Sequence, residues 1–449
     1  MSRDDNMSNI IKQLNNQKIA CLGLGTENQA LLSFLLKNQV NSPITICDRR
    51  SARELGDKYK SLSKHPQINW KLGLDYNKNL DCFDILFRSP GWPLFCPGIK
   101  KLKNKSTKIS SPMNLFFALC PTTNIIGVSG TKGKGTTASL IAHILKKAKL
   151  KVFLGGNIGI APFSFIDKIK KDDWVVLELS SFQLEDLKYS PKLAVITNIY
   201  KEHLAPADPL NPNYHLSYRD YILAKLKLSF YQKETDSFFF NKKSSPLLIK
   251  YKKYLGAGQI INFTSSKLPS HLIGEYNREN IAAAEMVAKK IGVNQKVIAA
   301  AVKSFIGLEH RLEFVTEKNN IKYYDNSFAT NPESTAMDLT SFQEPIVLLA
   351  GGADKGANFL PLAKLIKQKV KQVVLFKGEA TPRIKKALLQ VGYPIKQINL
   401  ATSMAMAIAQ ARQKAKPGDI ILLSTACASF GLFKNYKERG NLFKEYAKK

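Results

Sequence analysis

Between positions 125 and 137 the chain reads IIGVSGTKGKGTT, and no other stretch narrows its possible folds so sharply. A short apolar strand empties into a glycine-rich turn carrying lysines and hydroxyls, and a helical pattern, ASLIAHILKKA, follows. Such a turn gathers backbone N–H groups and the positive end of a helix around one anion, and its glycines permit close approach. Gly130, Thr131, Lys132, Gly133, Lys134, Gly135, Thr136 and Thr137 are therefore candidate phosphate-binding residues, with Lys134 as the point charge. The spacing departs from the usual pattern: Gly133 stands six positions after Gly127 where five is the norm, and Gly135 replaces the expected Ser or Thr after the lysine. Thr136 or Thr137 then has to serve a metal ion. The competing reading is a plain strand-to-helix connector.

A chain of 449 residues exceeds one core and points to about three domains. With 44% hydrophobic and 23% charged residues it has the composition of a globular protein, which argues against extended disorder. The first residues, MSRDDNMSNIIKQLNNQ, contain acids and no apolar segment, and nowhere do about 18 apolar residues run together. No membrane insertion and a cytoplasmic location are expected. Cys21, Cys47, Cys82, Cys96, Cys120 and Cys427 form no C-x-x-C pair, which favours reduced thiols over disulfides or zinc. The net charge of +32 raises the prospect of a nucleic-acid-binding ATPase. Its lysines, however, are spread along the polar sides of helical patterns without an Arg-rich block, so nucleic acid is not required and an anionic substrate is the simpler partner.

From Lys18 the order strand, helix, strand (KIACLGLG, ENQALLSFLLKN, PITICD) is a Rossmann-like opening, with Asn28 in place of the third glycine and Asp48 where a ribose-binding acid belongs. A nicotinamide cofactor and another nucleotide, with Arg49 and Arg50 near its phosphates, fit equally. Ser89, Pro90 and Gly91 end another short strand and form either a ligand-facing turn or a simple tight turn. A second segment carries the phosphate turn and the strands WVVLEL and LAVITN; Glu178, at the end of the first of these, is placed to supply oxygen to a metal on the nucleotide. A third segment, from near Leu308, alternates strands and helices again. The fold expected is α/β with three domains: a Rossmann-like N-terminal domain, a central P-loop-type ATPase domain with a mainly parallel sheet, and a Rossmann-like C-terminal domain.

Ten runs, in this order, resemble the Mur ligase family: GVSGTKGKGTT (127–137), GNIG (156–159), ELSSFQL (178–184), TNIYKEHL (197–204), YILAKLKL (221–228), GEYNRENIAAA (274–284), GLEHRLE (307–313), DNSFATNPEST (325–335), LLAGGADKGANF (348–359) and LLSTACASFGLFKNYKERGNLF (422–443). The last three resemble most the members that join D-glutamate to UDP-N-acetylmuramoyl-L-alanine. The resemblance implies an ATP- and Mg²⁺-dependent amide ligase of peptidoglycan precursor synthesis, working through an acyl phosphate, and a monomer is expected. It implies a UDP-sugar domain at 1–111, a central ATP-binding domain at 112–307 and an amino-acid-binding domain at 308–449. By the same resemblance Lys134, Glu178, His203 and Lys225 are catalytic. Thr136, Glu178, His203 and, if carbamylated by CO₂, Lys225 hold metal; Lys227 is the rival lysine. Asn277, Arg311, Asp325 and Asn326 lie near ATP; Gly25, Thr26, Asp48, Arg49, Ser89, Pro90, Gly91, Asn157, Ser180 and Gln183 near the UDP substrate; Thr330, Lys355, Ser429, Phe430 and Tyr436 near the incoming amino acid.

Four positions depart from the family pattern. Phe328 stands where SKATN has lysine, Asn326 where an acid is expected for the ATP ribose, Tyr276 for the usual His, and Ala205 for the acid after His-Leu. A lost cation bears on which amino acid is held, so a Mur-type ligase for a different amino acid is the alternative.

Overall fold

The computed structural model describes residues 3–102, 105–206, 212–354 and 356–449. Among the described residues seventeen strands make three sheets. The first holds β1 (Ile19–Leu22), β2 (Ile44–Asp48), β3 (Ile68–Leu72), β4 (Ile85–Arg88) and β5 (Lys108–Ser110) in the order β3-β2-β1-β4-β5. The second holds β6 (Ile125–Ser129), β7 (Val152–Gly156), β8 (Trp174–Glu178), β9 (Leu193–Ile196), β10 (Ser237–Asn241) and β11 (Gln259–Phe263) in the order β11-β10-β9-β6-β8-β7. Every pairing in these two sheets is parallel. Central strands are therefore apolar on both faces: all residues of β1, β6 and β9 are buried, as sheets covered by helices require.

The third sheet holds β12 (Glu313–Lys318), β13 (Ile321–Asn326), β14 (Ile346–Ala350), β15 (Val370–Phe376), β16 (Ile398–Ala401) and β17 (Ile420–Ser424) in the order β12-β13-β17-β14-β15-β16. Only β12 runs antiparallel, joined to β13 through Asn319 and Asn320, both with positive φ (51° and 57°). Asparagine tolerates that backbone, and two such residues make the tight turn whose twist suits a hairpin. The alternation expected from near Leu308 did not include this hairpin. The fold class is α/β as expected, with a mixed third sheet.

The chain divides into two compact units, Met1–Ser266 with Glu279–Ala301, and Lys267–Arg278 with Val302–Lys449. The first two sheets lie in the first unit, the third in the second. Within the first unit one hydrophobic core continues between the sheets, where Phe34 of helix Thr26–Lys37 packs on Phe163 at 4.9 Å between ring centroids. A polar fastening lies beside it: Arg88, at the end of β4 and 1% exposed, donates to Asp186 (2.7 Å) and to the carbonyls of Trp92 (2.9 Å) and Phe182 (2.7 Å). Among the described residues no helix is long and apolar enough to cross a membrane, and all six cysteines are free thiols, with Cys82 exposed and the rest buried.

Candidate functional site

The phosphate turn is shaped by its glycines. Gly130 (φ +142°) and Gly133 (φ +81°) adopt backbone that side-chain-bearing residues rarely reach, and a Cβ on either would collide with Thr197 Oγ1 or Asn280 Oδ1 respectively. Gly133 is the N-cap of helix Lys134–Lys147 and gives it no side-chain cap, so the helix keeps its first-turn N–H groups uncapped by a side chain at the turn. Neighbouring strand ends clamp the turn. Asn198 takes the Thr131 N–H on its carbonyl and the Lys132 N–H on its side chain, both at 2.8 Å, and Thr197 Oγ1 donates to the Lys132 carbonyl at 2.6 Å. Lys134 Nζ donates to the Thr131 carbonyl at 2.9 Å, folding its ammonium back over the turn, while Lys132 pairs with Glu202 at 2.6 Å. Thr137 is buried with no partner for its hydroxyl, whereas Thr136 keeps partial exposure and is the hydroxyl accessible from outside.

Glu178 closes β8, is 2% exposed, and accepts from Asn157 Nδ2 at 2.8 Å through Oε1. Its other oxygen, Oε2, is buried with no hydrogen-bond partner in the protein. An unmatched buried carboxylate oxygen is costly, and a bound cation would remove that penalty. Lys225 is 1% exposed on helix Tyr218–Phe230, donates to the Gly130 carbonyl at 2.7 Å and lies over the Tyr221 ring at 4.6 Å. Burial, reinforced by the Lys134 charge, drives its pKa well below the ordinary lysine value. An exposed helix lysine is thereby ruled out, and the rival Lys227 points elsewhere, donating to the Glu185 carbonyl at 2.6 Å. His203 sits at positive φ (59°) beside Glu202, its side chain 41% exposed; burial of its inner edge, despite the attraction of Glu202, lowers its pKa, so at neutral pH the imidazole carries a lone pair.

Beside this cluster a cavity of about 410 Å³ is lined by Gly25, Thr26, Asp48, Arg49, Ser89, Pro90, Gly91, Asn157 and Gln183, all expected near a UDP substrate. Asn157 lines the cavity and also bonds Glu178, so the cavity leads to the carboxylate. Asp48 is held within the fold: it takes the Leu24 N–H at 2.7 Å and three hydrogen bonds from Arg50, two from the guanidinium at 2.8 and 2.9 Å and one from the backbone N–H at 2.9 Å. Burial alone would raise its pKa, but these donors hold it below the usual carboxylate value. The Ser180 hydroxyl caps helix Ser181–Leu184 by accepting from the Gln183 N–H. Gln183 in turn is held by Glu27, whose pKa burial pushes up to about 7.

In the second unit three of the residues expected near ATP make hydrogen bonds within that unit. Asp325 is fully buried, with Oδ2 2.6 Å from His310 Nδ1 and Oδ1 accepting the Ser327 N–H at 2.7 Å. Asn326 donates to Asp338 at 2.7 Å, and Asn277 to the Ile273 carbonyl at 2.7 Å. Phe328, where the family has lysine, is 40% exposed; the Arg311 guanidinium stacks on it at 3.8 Å and Tyr436 meets its edge at 5.1 Å. Thr330 is half-buried, Ser429 buried, and Phe430 62% exposed. Lys355 lies outside the described residues.

Sequence reasoning missed Glu202, Asn198, Tyr221 and Asp338. Tyr221 OH is 2.7 Å from Thr131 Oγ1, and both Glu202 and Asn198 grip Lys132. Glu202 and Asn198 lie inside the quoted TNIYKEHL run, which was the available signal; Asp338 follows no motif.

Residues 128–256 match the family described as Mur ligase middle domain, and residues 310–427 the one described as Mur ligase, glutamate ligase domain. The chain is 36% identical to the UDP-N-acetylmuramoylalanine–D-glutamate ligase of Acetivibrio thermocellus over 97% of each chain, and 36% identical to that of Clostridium kluyveri over 96% of each. Solved structures share the fold at low identity. The UDP-N-acetylmuramate-alanine ligase MurC of Thermotoga maritima gives a TM-score of 0.55 at 17% identity, covering 96% of this chain and 99% of that one. The MurF ligase of the same organism, in complex with ADP, gives 0.57 at 15% identity, covering 98% and 96%.

Proposed function

The chain belongs to the Mur ligase family, and from that premise we propose that it joins D-glutamate to UDP-N-acetylmuramoyl-L-alanine with hydrolysis of ATP, as a step of peptidoglycan precursor synthesis. The observation that carries the chemistry is the buried Lys225 amine on the Gly130 carbonyl of the phosphate turn, electrostatically coupled to Glu178 and Lys134. We assign the domains as 1–111, 112–307 and 308–449, and the working form as a cytoplasmic monomer.

The UDP end of the substrate occupies the cavity of the first unit, where Arg49 and the turn at Gly25 and Thr26 meet the pyrophosphate. Asn157 and Gln183 then direct the L-alanyl carboxylate toward Glu178 and the phosphate turn. The β- and γ-phosphates of ATP lie on the turn N–H groups and Lys134. A carboxylate oxygen of the L-alanyl group bonds to the γ-phosphorus as the bond to the β,γ-bridging oxygen breaks, and ADP leaves. The amine of D-glutamate adds to the acyl carbon, and the tetrahedral adduct collapses with loss of a proton and release of phosphate. No side-chain nucleophile is needed; the demand is for fixed positive charge around several anions.

Thr136, Glu178 and His203 fit a divalent cation: an accessible hydroxyl, an unmatched buried carboxylate oxygen and a neutral imidazole. When bound, Mg²⁺ supplies charge neutralisation for phosphoryl transfer. Lys225, with its pKa lowered, has the neutral amine that reacts with CO₂; as a carbamate it turns from cation to anion and can serve as a further metal ligand. Asn277, Arg311 and Asn326 take the nucleoside end of ATP, with Asp325 behind them; Thr330, Lys355, Ser429, Phe430 and Tyr436 receive the amino acid.

Phe328 in place of lysine favours one second reading, a ligase of this type for a different amino acid. Phosphate release measured with UDP-N-acetylmuramoyl-L-alanine, ATP, Mg²⁺ and a panel of D- and L-amino acids decides between them. Release with D-glutamate supports the first; silence with D-glutamate and release with another amine replaces it by the second.

A further inference from the structure

At position 326 an amide stands where an acid would hold the nucleotide ribose, and the structure contains its counterpart. Asp338, in the last turn of helix Pro332–Thr340, is 2% exposed and aims a carboxylate oxygen at Asn326 Nδ2 from 2.7 Å. The same oxygen accepts from Ser424 Oγ at 2.6 Å, and Ser424 lies 2.9 Å from Thr335 Oγ1, so the carboxylate is fixed from behind. An amide can face a ligand with either branch, as donor or as acceptor. A buried carboxylate oxygen, which accepts, selects the NH₂ branch for itself and turns Asn326 Oδ1 away. Asn326 is only partly buried, at the C-terminal end of β13.

We propose that Asp338 is a positioning residue for the nucleotide: it locks the Asn326 amide so that Oδ1 presents an acceptor to a ribose hydroxyl of the nucleoside triphosphate. The acid missing from position 326 is thus supplied one layer deeper, and the amide relays its polarity. The inference rests on the reading that places Asn326 at the nucleoside end of ATP.

The test compares kcat/KM for ATP with kcat/KM for 2′-deoxy-ATP and 3′-deoxy-ATP in the full-length enzyme, with both other substrates saturating. The wild type is expected to prefer ATP over at least one analogue by about tenfold, the size of one ligand hydrogen bond. Asn326→Ala should bring that ratio to about one, and Asp338→Ala should lower it to below about threefold, since a freely flipping amide no longer favours acceptance. Asp338→Asn, which keeps an acceptor oxygen, should retain most of the preference. Asn326→Asp alone sets two carboxylates against each other and should lose it, while the exchange Asn326→Asp with Asp338→Asn should regain it. A general loss of packing would lower kcat/KM for all three nucleotides alike and leave the ratio unchanged. If Asn326→Ala keeps the wild-type ratio, the placement of Asn326 at the ribose is wrong. If Asn326→Ala abolishes the ratio while Asp338→Ala preserves it, or while the exchange fails to restore it in a folded protein, the positioning role is wrong and the placement stands. Should Asp338→Ala not fold, the exchange variant alone decides.

Discussion

The glycine-rich turn of the second sheet and the C-terminal end of β13 in the third are both rich in polar residues, yet they are held by different means. In the turn, geometry comes from the backbone: Gly130 and Gly133 sit in conformations and spaces closed to other residues, and the helix that follows has no side-chain cap. At the third sheet, geometry comes from distant partners. His310 fixes Asp325, Asp338 fixes Asn326, and Arg311 lies on Phe328. A backbone-built site tolerates little change and is legible from spacing; a partner-built site can exchange acid for amide provided the second residue changes too.

The largest expected effect falls on the turn. Lys134→Ala is predicted to lower kcat by about 10³-fold or more while leaving binding of the UDP substrate within about twofold, because it removes a fixed cation from the transferring phosphoryl group. Phosphate release and calorimetric titration would check this, and retained turnover would break the contrast at its root. Lys225→Ala should reduce activity by about 10²-fold or more, with partial return on adding short-chain carboxylic acids if the lysine acts as a carbamate. Absence of any return would leave Lys225 as a structural amine on the Gly130 carbonyl.

Smaller effects concern stability. Gly133→Ala is predicted to destabilise the first unit by about 1–3 kcal/mol in urea unfolding, since it combines forbidden backbone with a collision at Asn280. An equally large loss from Phe328→Ala would erase the distinction, because that side chain is 40% exposed and its stack on Arg311 should contribute only about 1 kcal/mol.

A further effect on stability is a pH slope. Burial raises the Asp338 carboxyl to about 7, against the hydrogen bonds from Ser424 and Asn326. The folded chain then holds a proton that the unfolded chain releases near pH 4, so stability of the second unit falls as pH rises from about 4 to 7, by at most about 1.4 kcal/mol per pH unit. Asp338→Asn should flatten that slope in unfolding curves taken across the window. An unchanged slope would mean that Asp338 is not its source.

Much of the architecture followed from the chain because its signals were local. Apolar strands before glycine turns placed β1 and β6, an apolar run placed β8, and Glu178 stands at the strand end where the pattern put it. The hairpin β12–β13 was missed although Asn319-Asn320 is a turn signal, since β12 is not apolar enough to stand out and has no fully buried residue. The Ser180 hydroxyl caps the helix it begins, a local bond that the run ELSSFQL does not by itself announce. Asp48 was read as facing a ligand, and only the fold brings Arg50 and the Leu24 N–H onto it. Asp338 could not be found at all, because its role depends on a pairing across 12 positions that no short pattern encodes.

Arg88 has a consequence for inhibition. Its guanidinium ties the strand behind the cavity to the Phe182 carbonyl and Asp186, so the cleft is already shaped before anything enters it. A rigid competitor matched to that cleft forfeits little conformational freedom on binding. Resistance by reshaping the wall through Arg88 would strand buried acids and weaken the fold by about 3–5 kcal/mol, leaving few viable routes of escape.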